Sequence, residues 1–384
     1  MPFGQRENVI EDLYMNSFSI EERLALQDSV HRLLIAESDE SAVRATMETP
    51  SGYDSKLWKQ LADMGVVGLI IDEAHGGAGV GPMELELVME EVGAALLCSP
   101  LLASGVLAAA LLGALDDSEI NDQLLPRIAE GSCIATVAMT GENGCWTKDG
   151  VAVSGQLVDG QWDLSGRASF VVHGQNADAL LVIANTDEGL GAFVVESDAA
   201  GLSIAGLPTF DHTLRLAEIT FEDVRAKHIS ARIPVWDAVS RALDIALVAL
   251  AGEQAGAAKH CLSSTVDYAK TRIQFGRAIG SFQAVKHMAA DLLLETESAI
   301  SAARNAAARL AEGAEGTAQA VSLAAFACAD AFVTTAATSI QMHGGIAFTW
   351  EHPAHLYLRR ARADAQLLGS SSFHRERFIQ QLGG

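Results

Sequence analysis

The 384-residue sequence has few cysteines and no uninterrupted apolar run of membrane-span length. Even residues 248–258 are interrupted by Glu253, so we predict no membrane span. The cysteines are scattered and odd in number, and none forms a closely spaced, metal-like pair. We therefore expect buried free thiols in a reducing compartment and no metal site. The five are Cys98, Cys133, Cys145, Cys261 and Cys328.

Basic residues are also scarce in this chain. Lysine and arginine number 26 against 49 aspartates and glutamates, which gives a formal net charge of −23. This balance argues against nucleic acid or an anionic membrane as a partner of the whole surface, although a local basic pocket for an anionic cofactor remains compatible with it. The N-terminus runs from Arg6 into Glu7, Glu11 and Asp12 without the apolar core of a signal peptide. We predict a cytoplasmic protein.

The hydrophobic pattern changes twice along the chain. Residues 1–128 follow a helical period, and Ser19 is placed to cap the first long helix. Residues 129–233 carry short β-like runs divided by Gly, Asp and Asn turns, which predicts a small antiparallel barrel or sandwich. Residues 234–384 are Ala- and Leu-rich, and small side chains favour a four-helix bundle. The predicted fold class is α+β multidomain: an N-terminal α-helical domain, a central antiparallel β-domain and a C-terminal four-helix bundle.

Two motifs in the last third of the chain carry the strongest functional signal. Arg272 opens the sequence Arg-Ile-Gln-Phe-Gly, and residues 341–348 read Gln-Met-His-Gly-Gly-Ile-Ala-Phe. An arginine supplies a permanent forked cation that suits phosphate oxygens, and paired glycines let backbone approach a ligand closely. Two simpler interpretations stay open: Arg272 pairs with Asp267 or Asp291, and the two glycines form a helix C-cap.

These motifs resemble the C-terminal half of the acyl-CoA dehydrogenases, flavin enzymes that desaturate acyl-CoA thioesters. The order helices, strands, helices and the segment 72–79, Asp-Glu-Ala-His-Gly-Gly-Ala-Gly, extend the resemblance over nearly the whole chain. The resemblance implies FAD as cofactor, an acyl-CoA substrate, an electron-transfer acceptor and a homo- or hetero-oligomer with a related chain. It also implies which residues hold the ADP half of FAD, typically that of a neighbouring subunit: Arg272, Phe282, Gln283, Gln341, Gly344 and Gly345.

The residue that resembles the family's catalytic base in position is not an acid here. The family's carboxylate precedes a Gly-Thr pair, and this chain has Leu368 before Gly-Ser. The family's alternative position, on the first long C-terminal helix, falls at Ala246. Glu253 lies about two turns further along and only about 20° off the same helix face, so it is our candidate base. A buried carboxylate paired with an arginine or a helix end is the open alternative.

The central region departs from the family as well. Where the family places a hydroxyl near the reactive flavin nitrogen, Val172 offers only methyl groups, and Thr140 alone remains as a hydrogen-bonding candidate for the isoalloxazine edge. Near the C-terminus, His352 and His355 lack an obvious third metal ligand. The arginines of that segment either steer CoA or FAD phosphates or pair with carboxylates. They are Arg359, Arg360, Arg362, Arg375 and Arg377.

Retained and altered residues fall into two groups. Those that would contact a neighbour's FAD are kept, and those that would hold and use the chain's own flavin ring are changed. We therefore predict an acyl-CoA dehydrogenase half-site subunit that supplies the ADP-binding side of FAD to a partner chain. The alternatives are a self-sufficient homo-oligomer with Glu253 as base, a flavin monooxygenase or oxidase, and a non-catalytic scaffold on the same fold.

Overall fold

The computed structural model describes residues 18–383, which run in the predicted order of helices, strands and helices. The charged segment between Arg6 and Asp12, on which the localisation prediction draws, lies outside the described residues. Ser19 caps the first helix as predicted, because its hydroxyl accepts the backbone N–H of Glu22 and the Glu22 carboxylate accepts the Ser19 N–H.

The N-terminal region is built from short helices around one large apolar core. A π-helical segment, Leu102–Ala108, is buried throughout and continues directly into a helix. The helices are α1 (Ile20–Glu37), α2 (Glu40–Met47), α3 (Ser55–Asp63), α4 (Pro82–Ala94), α5 (Ala109–Leu115) and α6 (Ser118–Ala129).

The central region is a mixed sheet that closes on itself. Its strands are β1 (Ala135–Ala138), β2 (Val153–Val158), β3 (Gln161–Val172), β4 (Ala179–Thr186), β5 (Gly189–Glu196), β6 (Leu202–Gly206) and β7 (Leu216–Ile229). The ring runs β4–β2–β3–β7–β5 and back to β4, with β1 added to β4 and β6 added to β7.

Two pairings in this sheet correct the expectation of a purely antiparallel domain. Both β1 and β2 run parallel to β4. The β4 residues from Ala179 to Ala184 are all buried, which is typical of a strand covered on both faces. Parallel neighbours come from distant segments of the chain, so the local alternation of residues carried no sign of them.

The C-terminal region is helical, as predicted. Its elements are α7 (Val235–Thr271), a hairpin of β8 (Ile273–Gln274) and β9 (Arg277–Ala278), α8 (Gln283–Glu312), α9 (Thr317–His343), α10 (Ala354–Asp364) and α11 (Ser371–Gln381). The three long helices pack against one another, and α10 and α11 pack on α9. The segment Thr317–Phe348 is long and apolar enough to span a membrane by composition, but 61% of its most apolar window is buried inside the protein, as in a core helix.

Helices α4 and α7 touch backbone to backbone. A Cβ atom on Gly93 of α4 would lie 1.8 Å from the carbonyl oxygen of Glu253, and one on Gly256 of α7 would lie 1.9 Å from the carbonyl oxygen of Glu90. Only glycine fits at these two contacts. The contact fixes the position of Glu253 along the helix interface.

The cysteines correct one detail of the sequence interpretation. All five are free thiols and four are buried, but Cys145 is exposed on the loop that leads to β2. The sequence around it lacks a long apolar run, and the loop carries it to the surface.

Candidate functional site

Arg272 lies exposed where α7 ends. Among residues 18–383 its guanidinium forms no ion pair and no side-chain hydrogen bond. Asp267, one of the partners considered above, pairs with Lys270 at 3.0 Å instead. The cation is therefore available to an anionic ligand.

The hairpin after Arg272 turns through two residues with positive φ, Phe275 at 53° and Gly276 at 75°. Positive φ at both central positions defines a type I′ turn, and a phenylalanine there is a conformational outlier. The Phe275 side chain is 91% exposed. The Arg277 guanidinium lies 4.0 Å over the ring of Phe282, which holds that ring at the start of α8.

The first turn of α8 adds backbone donors to this region. Gln283 is its first residue and is exposed, and Phe282 at the N-cap position offers no side-chain acceptor. The N–H groups of an uncapped first turn, together with the helix dipole, favour a bound anion. This first turn lies beside the end of α7, since the Ile279 N–H donates to the Arg272 carbonyl at 2.8 Å.

Helix α9 brings the second motif to the same place. Tyr268, about one turn before Arg272, stacks on His343 with 4.4 Å between ring centroids, and its hydroxyl donates to the His343 carbonyl. Gly344 then ends the helix with φ 69°, so the C-cap interpretation also holds. A Cβ on Gly344 or Gly345 would meet only open space, which leaves room for a ligand against the backbone.

These residues form one exposed surface, which we call the phosphate face. Its unpaired arginine, uncapped helix start and open glycine backbone fit the pyrophosphate of FAD. Its members are Arg272, Phe282, Gln283, Gln341, Gly344 and Gly345. Large apolar side chains surround it and are exposed, as at a surface that contacts another protein. They include Ile273, Phe275, Ile346, Phe348 and Trp350.

The two positions considered for a catalytic base are apolar and buried. Ala246 is completely inaccessible and Leu368 is 3% exposed, and both belong to the main hydrophobic core. Leu368 adopts a left-handed conformation with φ 59°, which is unusual for a branched residue. No carboxylate occupies either position.

Glu253 lies in a buried ion network. Its Oε1 accepts a hydrogen bond of 2.5 Å from Nη2 of Arg360, and the same guanidinium is 3.2 Å from Asp364 and 3.8 Å from Asp211. Burial raises the pKa of Asp364 well above its usual range, and Arg360 opposes that rise. This geometry matches the structural alternative that the sequence left open. A role for Glu253 as base stays a prediction.

A cavity of about 720 Å³ lies between the β-domain and α10; we call it the interdomain cavity. Phe170 on its wall has φ 57°, at an irregular point in the pairing of β3 with β7. Most of its lining is apolar. The lining includes Trp146, Phe170, Leu207, Leu214, Leu216 and Leu367.

Trp146 belongs to the walls of two cavities. The indole is buried and also lines a second cavity of about 160 Å³, whose other walls include Leu368 and His374. The two cavities are neighbours, since the consecutive residues Leu367 and Leu368 line one cavity each. Sequence reasoning gave Trp146 no role, because a lone tryptophan in a loop forms no recognisable motif.

The hydroxyl predicted to meet the flavin ring is engaged inside the protein. Thr140 is buried, and its Oγ1 donates to the carbonyl of Ser169 at 2.6 Å. Val172 is buried too, and its carbonyl accepts the hydroxyl of Thr136 at 2.6 Å. Neither position presents a free hydroxyl donor. A flavin contact by Thr140 stays a prediction.

Three of the five C-terminal arginines pair with carboxylates, as one of the two interpretations expected. Besides Arg360, these are Arg375 with Asp330, and Arg377 with Asp244 at 2.6 Å. The other two differ. Arg359 lies over the rings of Phe210 and Trp350, at 4.7 and 5.3 Å. Arg362 lines the interdomain cavity and has no ion pair among the described residues.

Comparisons with known proteins place these features in context. The family models described as "Acyl-CoA dehydrogenase, N-terminal domain" and "Acyl-CoA dehydrogenase, C-terminal domain" match residues 20–132 and 236–383, which flank the β-domain. The acyl-CoA dehydrogenase IpdE2 of Mycobacterium tuberculosis is 37% identical over 351 residues, covering 91% of this chain and 94% of the relative. FadE27 of the same organism is 30% identical over 339 residues, covering 86% and 88%.

Solved structures with the same fold include two assemblies of paired chains. The ChsE4-ChsE5 complex from Mycobacterium tuberculosis contains a chain with TM-score 0.87 and 28% identity, covering 95% of this chain and 98% of that one. The Tcur3481-Tcur3483 steroid ACAD variant gives TM-score 0.85 and 29% identity, covering 94% and 98%. These matches confirm the predicted fold class.

Proposed function

The chain belongs to the acyl-CoA dehydrogenase family, whose cofactor is FAD, and on that premise we propose that it is a half-site subunit. In this proposal it supplies the ADP-binding side of FAD to a related partner chain that carries the catalytic base. Bound FAD accepts the hydride during α,β-desaturation of the acyl-CoA. The observation that carries the proposal is the contrast between the open phosphate face and the buried apolar side chains at Ala246 and Leu368.

The phosphate face supports the donor role of this chain. Arg272 is exposed and has no partner among the described residues, although the chain carries an excess of carboxylates. A guanidinium without an ion pair, lying beside the uncapped first turn of a helix, suits a bound pyrophosphate. The exposed Phe275 and Phe348 beside it are the kind of aromatic anchors that protein interfaces use.

The proposal that this chain performs no chemistry itself rests on the residues around its own flavin-ring position. Leu368, at the usual base position, lines the small cavity that shares the Trp146 wall with the interdomain cavity, and it offers no carboxylate to a ligand there. The Thr140 hydroxyl donates a hydrogen bond to a backbone carbonyl, and the Glu253 carboxylate accepts one from Arg360. The usual base positions are therefore apolar, and the Thr140 hydroxyl and the Glu253 carboxylate are already hydrogen-bonded inside the protein.

The partner, in this proposal, is a related chain of the same fold. Two structural neighbours carry paired names, the ChsE4-ChsE5 complex and the Tcur3481-Tcur3483 steroid ACAD. By analogy we assign this chain an acyl-CoA substrate shared with its partner, an electron-transfer acceptor for the reduced flavin, and the cytoplasm as location.

Flavin stoichiometry tests the proposal. The chain purified alone should retain little FAD and should desaturate no acyl-CoA. Co-expressed with its partner, it should form a complex with fewer flavins than subunits, measured from flavin absorbance against protein concentration. A homo-oligomer with one FAD per chain, whose acyl-CoA-dependent flavin bleaching is lost in Glu253→Gln, would establish the self-sufficient enzyme instead.

A further inference from the structure

Two histidine rings meet beside the glycines of the phosphate face, and we propose that His343 and His352 position this glycine backbone for the pyrophosphate of FAD. His343 is the last residue of α9, and His352 lies just before α10. Their ring centroids are 4.6 Å apart, so the contact closes residues 344–351 into a loop, which we call the glycine loop. The inference rests on the proposed function, because it takes the phosphate face as the site of FAD.

The ring contact extends to α7, the helix that ends at Arg272. Tyr268 of α7 also stacks on His343, with 4.4 Å between ring centroids. Three rings therefore join the end of α7, the end of α9 and the segment before α10. Aromatic contacts have preferred geometries in addition to the apolar area that they bury. These contacts thus hold the arginine and the glycine backbone of the phosphate face in one arrangement.

The His343 ring is fixed by hydrogen bonds inside the helical region. The residue is buried, and its Nδ1 lies 2.8 Å from the carbonyl oxygen of Ser339. A carbonyl oxygen only accepts, so Nδ1 carries the hydrogen and donates it. The Ser339 hydroxyl in turn accepts a hydrogen bond of 2.7 Å from the hydroxyl of Thr265 on α7. His352 therefore packs on a ring whose orientation is already set.

The observed contact requires a neutral His352. Its Nδ1 accepts the N–H of Ala354, the first residue of α10, at 3.2 Å. A protonated ring nitrogen cannot accept, so protonation at Nδ1 breaks this bond. Protonating both histidines would also place like charges on two adjacent rings, with 4.6 Å between their centroids. The closed glycine loop is therefore the form that the uncharged rings stabilise.

The surroundings of His352 also disfavour its charged form. Burial lowers the pKa of His352, and His343 and then His355 of α10 lower it further, whereas Glu40 of α2 raises it. Arg44, also on α2, adds to the lowering of this pKa. An unfolded histidine titrates near 6.5, so the closed loop loses stability as the pH falls from about 6.5 through the lowered value. Mild acid should therefore open the glycine loop.

Amide hydrogen exchange of the full-length chain alone tests the loop without flavin. His352→Ala should speed the exchange of residues 344–351, because it removes the ring that closes the loop. His352→Phe keeps a ring against His343 and should match wild type at about pH 7.5. After correction for intrinsic exchange rates, the loop of wild type should exchange faster at about pH 5.5, and the loop of His352→Phe should not.

Flavin retention by the assembled complex gives the second readout. His352→Ala should weaken FAD binding roughly three- to tenfold at neutral pH, the scale of one lost aromatic contact. His352→Phe should retain flavin as wild type does at neutral pH, and should retain more than wild type in mild acid. The matched control is His228→Ala, which removes a histidine stacked on Trp162 in the β-domain and should change neither readout.

The two readouts separate this inference from the half-site proposal. Loop exchange that is unchanged in His352→Ala, or that responds to acid equally in wild type and His352→Phe, would refute the positioning role and leave the half-site proposal untouched. If the loop opens as expected and flavin retention stays constant, the phosphate face does not hold FAD, and both proposals fall together. Retention that rises in acid would also refute the positioning role, because the imidazoles would then act as cations toward phosphate.

Discussion

The phosphate face and the usual position of the catalytic base both lie in the C-terminal helical region, but their residues differ in exposure. The phosphate face presents an arginine without an ion pair, open glycine backbone and exposed aromatic rings, and residues 18–383 cover none of them. At the base site, Ala246 and Leu368 are sealed into the hydrophobic core. The half-site proposal accounts for both features, because it assigns the exposed surface to a partner chain and the chemistry to that partner.

The largest effect should come from a substitution of Glu253, which tests whether this carboxylate has a structural role. Glu253→Gln removes one carboxylate from the buried Arg360 and should lower the free energy of unfolding by about 3 kcal/mol, the scale for breaking a buried ion pair. Chemical denaturation measures the loss. Under the half-site proposal, turnover of the assembled complex should hardly change, because the Glu253 carboxylate pairs with Arg360 and takes no proton from the substrate. A stable variant without turnover would mean that Glu253 is the base.

Arg272 tests the opposite region. Arg272→Ala should weaken FAD binding by the assembled complex by about 1.5–3 kcal/mol, which corresponds to a ten- to hundredfold loss of affinity. Flavin retained after gel filtration gives the readout, and the melting temperature of the chain should stay the same because Arg272 makes no ion pair within the part of the chain that the structure describes. The exposed Arg32, paired with Asp28 on α1, is the matched control. Equal flavin retention in the two variants would refute the assignment of Arg272.

The free energy of unfolding should fall in acid, because a buried histidine lies beside Leu368. His374 lines the small cavity with Leu368, and burial lowers its pKa to about 4. Its ordinary value is near 6.5, so the unfolded chain takes up the proton first and the folded state loses stability as the pH falls from about 6.5 towards 4. At pH 5 this loss is on the order of 1–2 kcal/mol. His374→Gln should flatten the decline, as followed by denaturation at a series of pH values.

The smallest effect should come from Thr140. Thr140→Val removes a buried hydroxyl that donates to Ser169 and should cost about 1 kcal/mol of stability. Under the half-site proposal the flavin content of the complex should not change, because no flavin ring sits beside Thr140 of this chain. A drop in flavin content with Thr140→Val would show that Thr140 meets an isoalloxazine ring after all.

Local signals in the sequence predicted more of this molecule than long-range ones. The Ser19 capping box spans three residues, and the helical period of α7 repeats within each turn, so both are legible along the chain. The motif around Arg272 is equally local, and it predicted a cation for phosphate oxygens, which stays a prediction. The parallel partners of β4 come from segments that the local pattern does not connect.

In the candidate site, too, the contacts between residues distant in sequence were not predicted. Arg360 meets Glu253 across 107 residues of sequence, and no spacing rule links a buried arginine to its carboxylate at that distance. Trp146 becomes a wall only when the β-domain docks on the helices, so its role depends on packing and not on a motif. Residue types at these positions were visible in the sequence, but the contacts that give them meaning were created by the tertiary fold.

The glycine contact between α4 and α7 has a mechanical consequence. With Gly93 and Gly256 pressed against carbonyl oxygens of the facing helix, the two helices have no side-chain layer between them that could yield. A displacement of α7, which ends at Arg272, is therefore transmitted to the N-terminal helices without being absorbed. A side chain introduced at either glycine should therefore force α7, the helix that ends at Arg272, away from α4.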